Sequence, residues 1–156
     1  KVCNINDFVR DLYESYKTSS NIRNNYNVKF VLKDYPKEID TYTDPKRLKQ
    51  ILDNLISNAI KFTDKGTIEI GYSLKDKNIE FFIKDTGIGI PSDNLNSIFM
   101  PFRKVNEKVF SASNIGTGLG LSISKNLIEM LGGKIWLETE ENEGSTFSFM
   151  LPYTKK

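Results

Sequence analysis

Between residues 68 and 83 the apolar side chains alternate: Ile68, Ile70, Tyr72 and Leu74, then Ile79, Phe81 and Ile83, with polar residues 75–78 between the two runs. A period of two marks half-buried strands, and a short polar break joins them as a hairpin. A second pair stands at 135–139 and 146–151, joined by the acidic stretch 140–144. Strands that follow one another directly build an antiparallel or mixed sheet, and its apolar face must be covered.

Three helical stretches supply the cover. Asn6 or Asp7 is positioned to cap a first helix carrying Phe8, Val9, Leu12, Tyr13 and Tyr16 on one side. Asp44-Pro45 starts a second, with an acid at the cap and proline in the first turn. Leu48, Ile51, Leu52, Leu55, Ile56, Ala59 and Ile60 follow it with helical period. A third spans 118–131, with Leu119, Ile123, Leu127, Ile128 and Leu131 inward and Gly132-Gly133 as its stop. Short strands are expected at 28–32 and 41–43. Residues 86–117 read as irregular, apart from a short helix near 93–98; a loop of that length inside a compact domain is usually functional. The expected fold is α+β: a two-layer α/β sandwich whose mixed, mainly antiparallel sheet is covered on one face by three helices.

The bulk properties exclude more than they assign. The 156 residues fit one domain, 1–156, and because it starts at Lys1 rather than Met it is expected to be a piece of a longer protein. A net charge of +2 points to neither nucleic acid nor an anionic membrane. No apolar run is long enough to span a bilayer. Cys3 is the only cysteine, so no internal disulfide forms. The chain contains no histidine, which removes imidazole metal sites, Ser-His-Asp triads and histidine acid–base work together.

Three short motifs then stand in order: Asn54-Leu-Ile-Ser-Asn58-Ala59-Ile-Lys61-Phe62-Thr63, Asp85-Thr-Gly87-Ile-Gly89-Ile90-Pro91, and Gly116-Thr117-Gly118-Leu119-Gly120-Leu121. On the second helix Asn54, Asn58 and Lys61 fall at i, i+4 and i+7, within a stripe about 60° wide and away from the apolar face. An amide oxygen such as that of Asn58 suits Mg²⁺, which keeps several waters and takes its other ligands from phosphate. Lys61 neutralises a phosphate oxygen as a point charge. Asp85 ends a strand, and its carboxylate can accept from an exocyclic amine such as the adenine N6. Gly87 and Gly89 let a flat ring approach the backbone, and Ile90 can face the base. The loop 116–120 runs into a helix N-terminus, where free N–H groups and a partial positive charge suit phosphate. Neither a dinucleotide fingerprint nor a P-loop occurs. Thr146, on the last strand, would support Asp85 or a bound water if that strand lies beside the Asp85 strand.

These motifs resemble those of the catalytic, ATP-binding domain of sensor histidine kinases, within the larger GHKL ATPase/kinase group. Residues 54–63 resemble the N box, 85–90 the G1 box, Ile98-Phe99-Met100-Pro101-Phe102 the F box, 116–121 the G2 box, and Gly144-Ser145-Thr146-Phe147 the final-strand signature. The resemblance covers almost the whole chain. It implies that Asp85 binds the adenine amine, Asn58 the Mg²⁺, and Asn54 and Lys61 the phosphate side. It further implies that residues of the G2 box cradle the phosphates and anchor a lid at about 103–115. The γ-phosphate would go to a histidine on a separate dimerisation domain, with a response regulator receiver domain downstream. A cytoplasmic location follows for the domain, whatever anchors its parent, and the isolated domain is expected to be a monomer. Met100 stands where the F box often has Glu, Arg103-Lys104 where an aromatic followed by Arg is common, and Asn106 where Asp is frequent. Lys104 or its neighbour Arg103 would replace the usual lid arginine. Two other functions share the fold: an ATPase motor or clamp, and a degenerate, non-catalytic ATP-binding module. The motor relatives carry a glutamate base one turn before the metal Asn, where this chain has Asn54.

Overall fold

The computed structural model describes residues 1–19, 26–101 and 120–155. In chain order the elements are β1 (Val2–Asn4), α1 (Ile5–Lys17), β2 (Val28–Lys33), β3 (Asp40–Tyr42), α2 (Pro45–Phe62), β4 (Gly66–Lys75), β5 (Asn78–Asp85), a 3₁₀ turn (Ser92–Asn94), α3 (Gly120–Met130), β6 (Lys134–Glu140) and β7 (Gly144–Pro152). The main sheet runs β2-β4-β5-β7-β6. Only the β2–β4 pair is parallel; the other three are antiparallel. The expected mixed, mainly antiparallel sheet under three helices is what the chain forms.

The alternation read in the sequence sets the layers. Ile79, Phe81 and Ile83 of β5 stand opposite Leu151, Phe149 and Phe147 of β7, and opposite Leu74, Tyr72 and Ile70 of β4. All are buried except the half-buried Leu74, and they meet Val9 and Leu12 of α1, Leu48, Ile51, Leu52, Leu55 and Ile56 of α2, and Leu127 and Ile128 of α3. The Phe81 and Phe149 rings stack at 4.8 Å at the centre of this layer. No helix among the described residues is long and apolar enough to cross a membrane.

Helix α2 begins as its sequence requires: the Asp44 side chain accepts from Lys46 and Arg47 N–H, and Pro45 occupies the first turn. Helix α1 departs from expectation. Its cap is Asn4, whose side chain accepts from Asp7 N–H at 2.9 Å, so the helix starts before Asn6. Asn6 is buried instead, donating to the Tyr35 and Lys37 carbonyls and accepting from Ile39 N–H. The shift arises because Val2–Asn4 is itself a short strand, paired with β3 in a separate two-stranded sheet. Near 93–98 only the 3₁₀ turn Ser92–Asn94 forms. On α3, Ile123 points outward and is about one-third exposed, whereas Ser122 and Ser124 are buried. Its expected start, at Gly118, lies outside the described residues.

One polar knot ties three elements. The Tyr72 hydroxyl donates to Asp34, Arg10 Nη2 reaches Asp34 Oδ2 at 2.8 Å, and Tyr35 N–H donates to Asp34 Oδ1 at 3.0 Å. The Tyr72 bond, then Arg10, holds the Asp34 carboxyl below its ordinary pKa. Burial, then Asp34, pushes Tyr72 up to about 12. A depressed carboxyl adds stability above its unfolded pKa and loses it as pH falls through the folded one. A raised phenol adds stability below its unfolded pKa and loses it as pH rises towards 12. Because Asp34 is partly exposed, Tyr72→Phe should cost only about 1 kcal/mol at pH 7. Urea unfolding checks this, and the gap from the unsubstituted chain should narrow at pH 3.

Candidate nucleotide site

The last residue of β5, Asp85, lies on the helix-covered face because it continues the alternation of Phe81 and Ile83. It is 6% exposed. Its Oδ1 accepts from Gly87 N–H at 2.9 Å, and Ser145 N–H also donates to the carboxylate. Burial outweighs these donors and raises its pKa; the N–H bonds and the nearby Thr63 hydroxyl pull the other way. Thr63 bears on the carboxylate without a bond of ordinary geometry, since its buried Oγ1 has no hydrogen-bond partner. A buried carboxylate beside an orphaned hydroxyl is costly for folding alone. It fits a site where a ligand donor or a water completes the set.

The chain after Asp85 is pinned from two sides. Ile88 N–H donates to Phe62 O at 3.3 Å, which fastens the loop to the end of α2. Asn142 N–H donates to Ile88 O at 2.6 Å, and Ile90 N–H to Thr139 Oγ1 at 3.0 Å, which fastens it to the β6–β7 hairpin. Two glycines make this closeness possible. A Cβ on Gly87 would lie 2.1 Å from Phe62 O, and one on Gly89, whose φ is +69°, 2.1 Å from Glu140 O.

Asn54, Asn58, Lys61 and Phe62 are half-buried along α2, beside its fully buried apolar face. Phe62 thus lies directly against Gly87, and Lys61 and Asn58 occupy the turn before it. Among the described residues the Asn58 amide makes no hydrogen bond or ion pair. Asn54 is already engaged: its Nδ2 donates to Gly120 O at 3.2 Å and to Ser124 Oγ at 3.1 Å. Gly120 and Leu121, both half-buried, open α3 at this point. Gly116, Thr117, Gly118, Leu119 and Lys104, with the expected lid, lie outside the described residues. Of the F-box stretch, Ile98 is buried, Phe99 packs edge-on against Phe147, and Met100 is exposed.

Thr146 requires a correction. Strand β7 does lie beside β5, but its register pairs Asp85 with Ser145 and Lys84 with Thr146. Thr146 therefore shares the uncovered sheet face with Lys84 and Glu138, away from the carboxylate. Ser145 takes the position expected of Thr146. The Thr139 hydroxyl donates to Gly144 O at 3.0 Å and lies 2.8 Å from Ser145 Oγ. Its single proton is thus committed, so Ser145 is the donor in that pair and keeps its lone pairs. Thr63, Thr139 and Ser124 also belong to the site or its support and carried no distinctive sequence signal; a Thr or Ser in an apolar pattern gives no warning of a buried partner.

Residues 43–155 match the model of the family described as histidine kinase-, DNA gyrase B-, and HSP90-like ATPases. The sensor histidine kinase GacS of Pseudomonas protegens is 38% identical over 97% of this chain, which spans 17% of that protein. The nucleotide-free catalytic domain of the histidine kinase ThkA is 32% identical, with a TM-score of 0.78 over 99% of this chain and 95% of that one. ThkA has also been solved in complex with the response regulator protein TrrA (31% identity, TM-score 0.76, over 99% of this chain and 42% of that one). Full-length ShkA in complex with AMPPNP is 28% identical, with a TM-score of 0.81 over the whole of this chain and 31% of that one. The chain belongs to the histidine kinase-, DNA gyrase B- and HSP90-like ATPase family, and within it to the catalytic domains of histidine kinases.

Proposed function

We propose that this chain binds Mg²⁺·ATP between α2 and the loop that follows Asp85, and presents the γ-phosphoryl group to a histidine outside itself. The observation that carries the reading is the buried, ionisable Asp85 at a strand end, flanked by an orphaned Thr63 hydroxyl and a loop that its glycines let approach the end of α2 closely. Asp85 accepts the exocyclic amine of the base, with Ser145 and Thr63 completing the polar edge. Asn58 holds the Mg²⁺, and Lys61 meets phosphate charge. The bound metal would neutralise phosphate charge as the group transfers; the chain's own contribution is positioning and a dry, polar frame. The glycines from Gly116 to Gly120 and Lys104 complete the phosphate side in this reading. The acceptor is external because the chain has no histidine. The ThkA–TrrA complex supports a receiver-type partner downstream. A cytoplasmic domain, monomeric when isolated, is the matching setting.

Water is a poor acceptor here. Asn54 stands where the motor ATPases have a base, and a carboxamide takes no proton usefully. The isolated chain should therefore hydrolyse ATP slowly. With labelled ATP it should phosphorylate a folded, histidine-bearing dimerisation segment of its parent in trans and leave itself unlabelled on histidine. Nucleotide binding with no label on that folded segment would favour the non-catalytic module.

A further inference from the structure

We infer that Ser124 is a positioning residue for Mg²⁺-dependent nucleotide binding, acting through Asn54. The inference rests on the nucleotide reading above. Ser124 is fully buried on the core-facing side of α3, where the surrounding pattern calls for an apolar residue. A buried hydroxyl is costly unless it is bonded. Its bond here is to Asn54 Nδ2, across the α2–α3 contact, at 3.1 Å.

Gly120 O accepts from the same nitrogen at 3.2 Å. A carbonyl oxygen only accepts, so the amide nitrogen must face α3 and the amide oxygen must turn away. Gly120 and Ser124 stand one helical turn apart on α3, and together they hold both hydrogens of the Asn54 amide. They thus fix its rotation and leave Oδ1, an acceptor, with no partner among the described residues. That end suits a donor, such as water held by the metal, and is wrong for direct contact with a phosphate oxygen. Asn58 lies one turn farther along α2, so the two amides line the same stripe. Removing the Ser124 hydroxyl frees one amide hydrogen and lets the carboxamide rotate.

The test is calorimetric titration with a non-hydrolysable ATP analogue, with Mg²⁺ and without it, on the unsubstituted chain, Ser124→Ala, Asn54→Ala and the double variant. Ser124→Ala should weaken Mg²⁺-dependent binding about three- to tenfold, the worth of one hydrogen bond, and leave metal-free binding within about twofold. On the Asn54→Ala background the same substitution should have no further effect, because its route is gone. Ser124→Cys preserves volume but offers a poor acceptor, so it should behave like Ser124→Ala. Full affinity in either single Ser124 variant, or additive losses in the cycle, overturns the inference while the nucleotide reading stands. An unsubstituted chain that is folded and binds no analogue overturns both.

Discussion

Asp85→Asn should abolish measurable nucleotide binding, a loss of at least about 100-fold or ~3 kcal/mol, without destabilising the fold. The carboxylate offers only acceptors, and Gly87 and Ser145 N–H occupy part of that capacity. An asparagine would keep its oxygen on Gly87 N–H and turn its NH₂ towards the site. A base amine arriving there would meet a donor where it needs an acceptor, at a buried position. The fold gains by the same change. Burial raises the Asp85 pKa in the folded chain, so the folded state binds this proton more tightly than the unfolded state does. Stability from this group is therefore full below its unfolded pKa and is lost as pH rises through the folded value. Above the folded value the ionised form carries that cost, and a neutral amide removes it. The amide NH₂ also gives the orphaned Thr63 oxygen a donor. Calorimetry with a non-hydrolysable analogue and Mg²⁺, beside urea unfolding at pH 7, checks both halves. Retained affinity in the variant would remove Asp85 from base recognition.

That opposition between stability and binding explains which parts of the site were legible beforehand. Asp85 breaks the apolar alternation of its strand, Asn58 and Lys61 align in a narrow stripe beside the apolar face of α2, and each carries chemistry that packing does not need. The sheet was legible for a related reason: a period of two leaves one workable face per strand. What stayed hidden depended on register and partnership. Ser145 and Thr146 are adjacent residues of similar β propensity, and only the pairing of β7 with β5 decides which one stands opposite Asp85. A shift of one residue moves the hydroxyl to the other face of the sheet. On α3 the periodic pattern put Ile123 inside and passed over Ser124, because an apolar residue is the ordinary occupant of a buried helix face. The exception comes from Asn54, 70 residues earlier in the chain. The cap at Asn4 was obscured in the same way, since the three-residue strand before it is held by β3 rather than by any local signal.

Gly87→Ala should injure fold and site together, and so contrasts with Asp85→Asn. The added Cβ would lie 2.1 Å from Phe62 O, 2.9 Å from Phe62 C and 2.9 Å from Asp85 Oδ1. Two of these three atoms are backbone at the end of α2, which cannot step aside as a flexible side chain does. The loop must retreat instead. Retreat breaks the Ile88 N–H bond to Phe62 O and carries Gly87 N–H away from the carboxylate, leaving Asp85 buried with one donor fewer. The expected cost is about 2–4 kcal/mol of stability, the range for overpacking combined with a lost buried bond. Binding should fall as well, because the displaced loop pulls Gly87 N–H away from the carboxylate assigned to the base. Gly71→Ala is the matched control. Its Cβ would come nearly as close to another atom, 2.3 Å from Phe82 Cζ, but that is the far end of a side chain on the uncovered face of the sheet. The ring can tilt away, so the control should lose about 1 kcal/mol or less and keep its nucleotide affinity. Urea unfolding of both variants, followed by analogue titration under conditions where each is folded, separates the cases. Equal losses in the two would mean that the close approach of Gly87 to the end of α2 has no special part in building the site.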